Sequence, residues 1–474
     1  MKMKRIHKPH HTLLLLALTA AFGGCAITHV DPPKPTPAPT QFKETGLWQH
    51  ATPASAAVPD DWWTLFNDPV LNDLQQRLLV GNENLKTVAT QVANARALLA
   101  AANVAWLPTL SATGTGTRSK TGSSNNVVVH NINNSASVGL NASWEIDLWG
   151  RLSEGRAQAR AGYQASEDDL AAARLSAQAL LLQSYFTLRS AEVQGDLMDR
   201  SVAAYTRSLE LTRDRHAGGV AAQTDVLQAE TQLNSAKAQA ADLKAQRAQA
   251  EHAVAVLLGA APSALTIAPA AKLPAAPGVP ELLPATLLER RPDIAAAQAR
   301  VASAYAQIGI ADAAYFPSLT LSASGGYRSS TLSNIISAPN MFWSVGASMA
   351  EDIFDGGQRK LASAQARNAA DAATSTYRQT VLTALQEVED NLVLADQLIQ
   401  EADLQSKAVE AARRNLEITQ DQYRAGTVGY LNVITAQTAL MSSESSLISV
   451  RNRQLVAVGT LLKNIAGRWA PAKV

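Results

Sequence analysis

Two close pairs of acids, Glu145 with Asp147 and Glu351 with Asp352, have the residue types and spacing that could do chemistry. Neighbouring carboxylates divide general acid and general base work when their surroundings drive their pKa values apart. A second candidate set is His7, His10 and His11, because clustered imidazoles ligate metals. Position argues against both. A helix-forming run begins within a few residues of each acid pair, so the acids read as strand ends where the chain leaves a membrane. The histidines fall in a basic leader with Lys2, Lys4, Arg5 and Lys8. An apolar run over 13–22 follows, the pattern of a secretory segment that is removed. The chain carries no nucleophile elbow, Walker loop, dinucleotide fingerprint or HExxH. These residues imply no enzyme, no metal site and no cofactor.

The single cysteine, Cys25, is the remaining candidate for covalent chemistry. It follows Phe22-Gly23-Gly24, and small residues before a cysteine admit the lipoprotein peptidase, after which the thiol receives diacylglycerol. The run resembles a bacterial lipobox, with Phe22 where leucine is commoner; an ordinary secretory peptide with a bystander cysteine is the other reading. The apolar run of about ten residues is too short for a membrane helix, which takes ~20. Ala26 stands where an aspartate would retain a lipoprotein at the inner membrane, which directs this one to the outer membrane.

The elements that position these residues are legible in composition and pattern. The chain has 474 residues, with 41 basic against 40 acidic side chains, a balance that argues against nucleic acid as a partner. Aromatics make up only 5%, while alanine, glutamine and serine are plentiful, which suits helices packed through small side chains. Proline is absent from 109–261 and from 340–470, whereas Pro262, Pro269, Pro274, Pro277, Pro280, Pro284 and Pro292 cluster between them. The two proline-free halves match at an offset that stays near the distance from Gly219 to Gly426. Leu209-Glu210-Leu211-Thr212 aligns with Leu416-Glu417-Ile418-Thr419, and Asp147-Leu148-Trp149 with Asp352-Ile353-Phe354. This internal duplication divides the chain into a signal peptide (1–24), an anchor and proline-rich tether (25–59), a first repeat (60–261), a linker (262–291) and a second repeat (292–468).

Each half reads as helix, two strands, long helix, tip loop, helix. Leu319, Leu321, Ala323, Gly325 and Tyr327 alternate with Thr320, Ser322, Ser324 and Gly326; Val138–Trp144 and Trp343–Met349 alternate likewise. Strands of about ten residues, apolar on one face and polar on the other, match membrane barrel strands. The run 120–134 reads as an outer loop. Long helices are expected over 151–216 and 357–424, and shorter ones over 70–106 and 224–258. Val381, Leu385, Val388, Leu392, Ala395 and Ile399 recur at the 3.5-residue period of a coiled-coil seam, as do Val226–Leu243 and Val433–Val450. Four strands cannot close a barrel, since the smallest closed membrane barrels have about eight. The barrel must therefore be shared between subunits. Two copies would give about eight strands with a plugged lumen and three about twelve with a bore.

Four motifs fall together at this point. They are Trp62-Trp63-Thr64-Leu65-Phe66-Asn67-Asp68-Pro69-Val70-Leu71, Leu288-Glu289-Arg290-Arg291-Pro292-Asp293-Ile294 with Tyr315-Phe316-Pro317, Phe354-Asp355-Gly356-Gly357, and Tyr423-Arg424-Ala425-Gly426. With them the chain resembles the TolC-like outer membrane factors, particularly OprM- and NodT-like efflux lipoproteins, over about residues 60–467. The resemblance implies a mainly α protein with membrane β strands: a homotrimer with a twelve-stranded β-barrel, four strands per chain, continuing into a twelve-helix tunnel. It implies a mixed equatorial belt built from 41–68, 260–285 and the C-terminal end. A periplasmic adaptor and an inner-membrane pump of the RND type are the implied partners. The implied function is passive conduction of drugs or toxic metabolites across the outer membrane. The exit duct of a type I peptide or protein secretion system is the alternative within the family, and a poreless periplasmic lipoprotein the alternative outside it.

The resemblance also assigns candidate residues. Members close the periplasmic end with bonds between neighbouring helices, and Asp225 and Tyr423 match positions that carry them. The family arginine two residues after the second tip glycine is Val428 here, with Arg424 the candidate substitute. Asn432 and Thr435 occupy positions where many members ring the aperture with aspartates, which implies weaker cation binding. Gly218, Gly219 and Gly426 permit the tip turns and expose backbone to an adaptor. Thr224 or Asp225 also suits a helix N-cap. Trp62 and Trp63 could stack a ligand, but an apolar plug between helices is the preferred reading.

Overall fold

A computed structural model of the chain describes residues 31, 39, 41–44, 61–121, 131–279 and 290–466. The leader, Cys25 and the loop 122–130 lie outside them. A 3-10 turn (Trp62–Phe66) leads into α1 (Pro69–Gly81), α2 (Glu83–Val104), β1 (Thr109–Thr121), β2 (Asn131–Ile146), α3 (Arg151–Ala217) and α4 (Gln223–Leu257). The second half follows with α5 (Pro292–Ala313), β3 (Ser318–Ser329), β4 (Met341–Ala350), α6 (Gln358–Arg424) and α7 (Tyr430–Ile465). α3 and α6 are each 67 residues long, which is about 100 Å at ~1.5 Å per residue.

The four strands form one antiparallel sheet in the order β1-β2-β3-β4. Its register joins the alternation of each strand into continuous rows. Leu110, Ala142, Ala323 and Val345 lie side by side, and Ala112, Leu140, Gly325 and Trp343 form the next row on the same face. The row between them, on the opposite face, is Ser111, Asn141, Ser324 and Ser344. Hydroxyls and amides bond across that face, with Thr115 to Ser137 at 2.7 Å, Ser324 to Ser344 at 2.9 Å and Asn141 Nδ2 to Thr113 Oγ1 at 2.9 Å. On the apolar face Trp343 and Val345 are 75% and 74% exposed. Three strands exceed the expected ten residues, β2 reaching 16, while β4 has 10. Lys120, Thr121 and Asn131–Asn134, expected in the outer loop, continue the ladder instead, with Thr121 opposite Asn131. Backbone pairing needs no apolar side chain, so a polar extension can run on above an apolar band.

The described residues cluster into two compact units, and each repeat contributes to both. The first unit takes Val92–Ser166 and Ala297–Tyr377, so it holds all four strands. Trp149 stacks on Phe316 with centroids 4.9 Å apart and donates from Nε1 to Pro317 O at 2.7 Å. Trp144 Nε1 donates to Trp106 O at 2.9 Å. The first acid pair, Glu145 with Asp147, serves a helix start. Asp147 accepts the Leu152 and Ser153 N–H groups at 3.0 and 2.8 Å, satisfying donors left free at the start of α3, and Glu145 takes a forked pair from Arg151.

The second unit contains the remaining helix segments and the belt. Trp62 is fully buried beside Phe42, Leu265, Ile267 and Leu461, so the tryptophan pair is an apolar plug as expected. The described parts of the segments expected in the belt thus share one core. The opening motif has a physical reading. Asn67 sits at φ 51° and ends the 3-10 turn; Asp68 then caps α1 by accepting from Val70 and Leu71, and Pro69 fills the first helical position. Asp68 Oδ2 also accepts the Tyr185 hydroxyl at 2.6 Å, and burial followed by this bond pushes the tyrosine pKa up. The irregular segment 265–270 is tied by buried and half-buried charges. Arg189 donates to Ala268 O, Arg247 to Ile267 O, and Glu192 accepts from both arginines and from Ala270 N.

Two helical expectations are corrected. The helix expected over 70–106 breaks at Asn82, whose Oδ1 accepts the Leu85 N–H at 2.9 Å and whose Nδ2 donates to Leu257 O at 2.8 Å. Backbones meet there: a Cβ on Gly81 would lie 2.1 Å from Leu258 O, and one on Gly259, at φ +68°, 2.1 Å from Gly81 O. In α6 Val381, Val388, Leu392 and Ala395 are buried, but Leu398 closes the stripe while Ile399 is 39% exposed. A helix at ~3.6 residues per turn drifts off a 3.5 repeat, so the buried stripe steps to a neighbouring position. All six residues of the α4 stripe, Val226, Ala229, Leu233, Ala236, Ala240 and Leu243, are buried.

Gly81→Ala should destabilise the fold by about 1–3 kcal/mol, because the added methyl has no space against rigid backbone. A thermal melt of the purified protein checks it; an unchanged midpoint would show that the approach relaxes freely.

Candidate functional site at the helix tips

The two tip turns are built alike. At the end of α3 the Gly219 N–H bonds to His216 O and the Val220 N–H to Arg215 O, with Gly219 at φ +76°. At the end of α6 the Gly426 N–H bonds to Tyr423 O and the Thr427 N–H to Gln422 O, with Gly426 also at φ +76°. These are Schellman caps, which need a residue at positive φ and so favour glycine. Gly218 precedes the first of them and is exposed like Gly219 and Gly426.

Arg215 joins the two tips. Its guanidinium lies 4.6 Å from the Tyr423 ring centroid, and Nη1 donates to Tyr423 O at 3.0 Å and to Arg424 O at 3.4 Å. It therefore satisfies carbonyls at the C-terminus of α6, where the helix dipole favours a cation. Tyr423 packs against Tyr430 with centroids 5.5 Å apart, and the Tyr430 hydroxyl meets Ser208 Oγ at 3.1 Å. Burial raises the Tyr430 pKa. The Tyr423 hydroxyl is buried and finds no hydrogen-bond partner among the described residues. Tyr205, Leu209, Val226, Tyr430 and Val433 complete one apolar cluster, with Val428 packed against it.

The other candidates are placed as follows. Asp225 is half-buried in the first turn of α4, and the helix N-cap is Ala222 without a side-chain bond, so neither Thr224 nor Asp225 caps. Arg424 pairs with Asp421 of its own helix at 3.1 Å. Asn432 and Thr435 are exposed on α7, and Thr435 Oγ1 donates back to Leu431 O. Arg215 was not singled out from sequence, although a basic residue in the last helical turn before a glycine cap is a readable signal. Its partner lies on another hairpin, which no local pattern announces.

Two further motifs anchor backbone elsewhere. Asp355 accepts from the Gly357 and Arg359 N–H groups and from Arg359 Nε, which holds its pKa down to about 2. Arg291 grips Asp293 through two bonds at 3.0 and 2.6 Å and reaches Glu387 at 2.9 Å. Burial alone would raise the Asp293 pKa, but the arginine outweighs it and holds it below its ordinary value. No group of His, Cys, Asp and Glu that could hold a metal occurs among the described residues.

The model of the outer membrane efflux protein family matches residues 74–260 and 283–467. The chain belongs to this family. The match falls in two stretches, one in each half of the duplication. The toluene efflux pump outer membrane protein TtgC of Pseudomonas putida is 30% identical over 97% of this chain and 96% of its own length. The pyoverdine export outer membrane protein OpmQ of Pseudomonas aeruginosa is 29% identical over 96% and 97%. Among solved structures, the outer-membrane channel OprN superposes with a TM-score of 0.87 at 29% identity, covering 93% of this chain and 99% of that one. The open state of the MtrE outer membrane channel of Neisseria gonorrhoeae gives 0.81 at 28% identity, over 94% and 98%. The chain is thus an outer membrane efflux protein.

Arg215→Ala should loosen the second tip by about 1–2 kcal/mol, since it removes a stacked cation and the carbonyl caps. Hydrogen exchange across 420–430 reads this: faster exchange is expected there with 230–245 unchanged, and unaltered protection would remove Arg215 from the tip.

Proposed function

We propose that three copies of this chain assemble into the outer-membrane exit duct of a tripartite efflux pump, which passively conducts drugs or toxic metabolites out of the periplasm. The observation that carries this reading is a four-stranded sheet with an exposed apolar face whose edge strands, β1 and β4, have no further partner among the described residues. In lipid such edges leave backbone groups unbonded at a cost of several kcal/mol each, so β4 of one copy pairs with β1 of the next until the barrel closes. The tunnel helices continue from the shared barrel. The names of the relatives support the substrate class, toluene for TtgC and pyoverdine for OpmQ.

At the tips Asp225 and Tyr423 would bond neighbouring helices, with the half-buried Asp225 carboxylate as an acceptor. That pairing would hold the duct closed at rest. An adaptor from the periplasm would dock on the exposed turns at Gly218, Gly219 and Gly426, linking the duct to an inner-membrane pump of the RND type. Cys25 would receive lipid and tether the chain to the membrane through the proline-rich segment.

Heat-resistant trimers that conduct in planar bilayers are expected of the purified protein, and monomers without conductance would sink the duct reading. With Asn432 and Thr435 at the aperture, trivalent cations should block weakly. Asn432→Asp with Thr435→Asp should tighten the block by about tenfold, as added carboxylates concentrate cations in a narrow aperture; strong block of the unaltered channel contradicts this. Labelled palmitate should enter the unaltered protein and not the Cys25→Ala variant, and equal labelling of both rules out Cys25 as the lipid site.

A further inference from the structure

The barrel segments are asymmetric in charge. No Asp or Glu occurs in 109–144 or in 318–350, while Glu145, Asp147, Glu351 and Asp352 follow directly where the chain returns to helix. The cations of these segments, Arg118, Lys120 and Arg328, all lie toward the other end, because β1 leaves α2 at Thr109 and runs outward to Thr121.

Strand parity then separates them. Arg118 and Lys120 are even-numbered in β1 and share a face with Leu110 and Ala112, opposite Asn134 and Ile132 of β2. That is the exposed apolar face. Arg328 lies opposite Ser137 in a polar row, and its guanidinium stacks over Phe342 at 4.9 Å, so it belongs to the other face. The apolar band ends at the row of Gly114, Val138, Tyr327 and Met341. Four residues at ~3.4 Å each along a strand tilted ~40° put Arg118 about 10 Å above that row, at the depth of lipid headgroups.

Both side chains are exposed, and neither forms an ion pair among the described residues. A neighbouring copy would bring the same acid-free segments to the edge of β1, so it offers no carboxylate either. What lies beside this face at this height, on the duct reading, is the outer leaflet. Its phosphorylated glycolipid presents anions where the protein presents none.

We propose that Arg118 and Lys120 bind the phosphate groups of the outer-leaflet glycolipid, an annular lipid site on the outward face of the barrel. The inference rests on the duct reading, which sets the direction of β1 and the solvent of its apolar face. Arg118 offers a planar fork that matches phosphate oxygens, Lys120 a point charge on a long stem, and both stems can lie along apolar surface while their heads reach the phosphates.

The test uses native mass spectrometry of the full-length protein with bisphosphorylated lipid A and with lipid A stripped of phosphate but carrying the same acyl chains. The unaltered protein should retain the bisphosphorylated form about tenfold better, as expected for two cations near an anionic surface. Arg118→Gln with Lys120→Gln should reduce that preference to nearly none, whereas Arg328→Gln should leave it intact. Inorganic phosphate at the same concentration should not compete, because headgroup and acyl chains bind together; full competition would mean a free-anion site and overturn the lipid assignment. Persistence of the preference in the double variant, or its absence in the unaltered protein, would also overturn the proposal. Conductance of each variant, measured alongside, shows whether the barrel forms, so loss of the duct reading is distinguished from loss of the lipid site.

Discussion

A backbone N–H or C=O that faces hydrocarbon without a partner costs several kcal/mol, and that penalty governs everything the sheet of this protein can be. One chain supplies four strands whose apolar rows run unbroken from β1 to β4, and whose outermost strands have no further partner among the described residues. Such a sheet is not a finished object in a membrane. On the duct reading it becomes one when the β4 edge of one copy meets the β1 edge of the next, which makes oligomerisation part of folding rather than an addition to it.

The helical part answers a different demand with the same economy of side chains. Alanine-rich stripes bury little area per residue, so stability depends on helices approaching closely along great lengths. Gly81 against Leu258 is the extreme of that closeness, and Asn82 is the bend it requires. Where the chain is irregular, at 265–270, the buried Arg189 and Glu192 and the half-buried Arg247 take the place of secondary structure as partners for backbone groups. Buried charges of this kind are tolerable because each is paired and also hydrogen-bonded.

Duplication explains the likeness of the two tips, and divergence explains why they lock. The Schellman turns at Gly219 and Gly426 are equivalent, yet Arg215 has Gln422 as its counterpart and Tyr423 has His216. The cation evolved on one hairpin and the ring on the other, so contact crosses between hairpins. The apolar cluster around Tyr430 then fixes the ring, with its hydroxyl buried and unbonded among the described residues.

Much of this was legible in the amino-acid sequence, since periodicity and proline are local signals. The duplication, the two 67-residue helices and the apolar alternation of the strands follow from residue order alone, because helix and strand each impose a period on what they bury. The four strands, too few to close a barrel, already required a shared one. The tertiary structure decided whatever depends on distance between segments far apart in the chain. It placed the break at Asn82, where two backbones touch, and moved the buried stripe of α6 from Ile399 to Leu398. It carried β1 and β2 past their apolar stretch into a polar ladder. It also brought Arg215 to Tyr423, because which arginine meets a ring is settled by how hairpins pack, and sequence spacing within one helix holds no record of that.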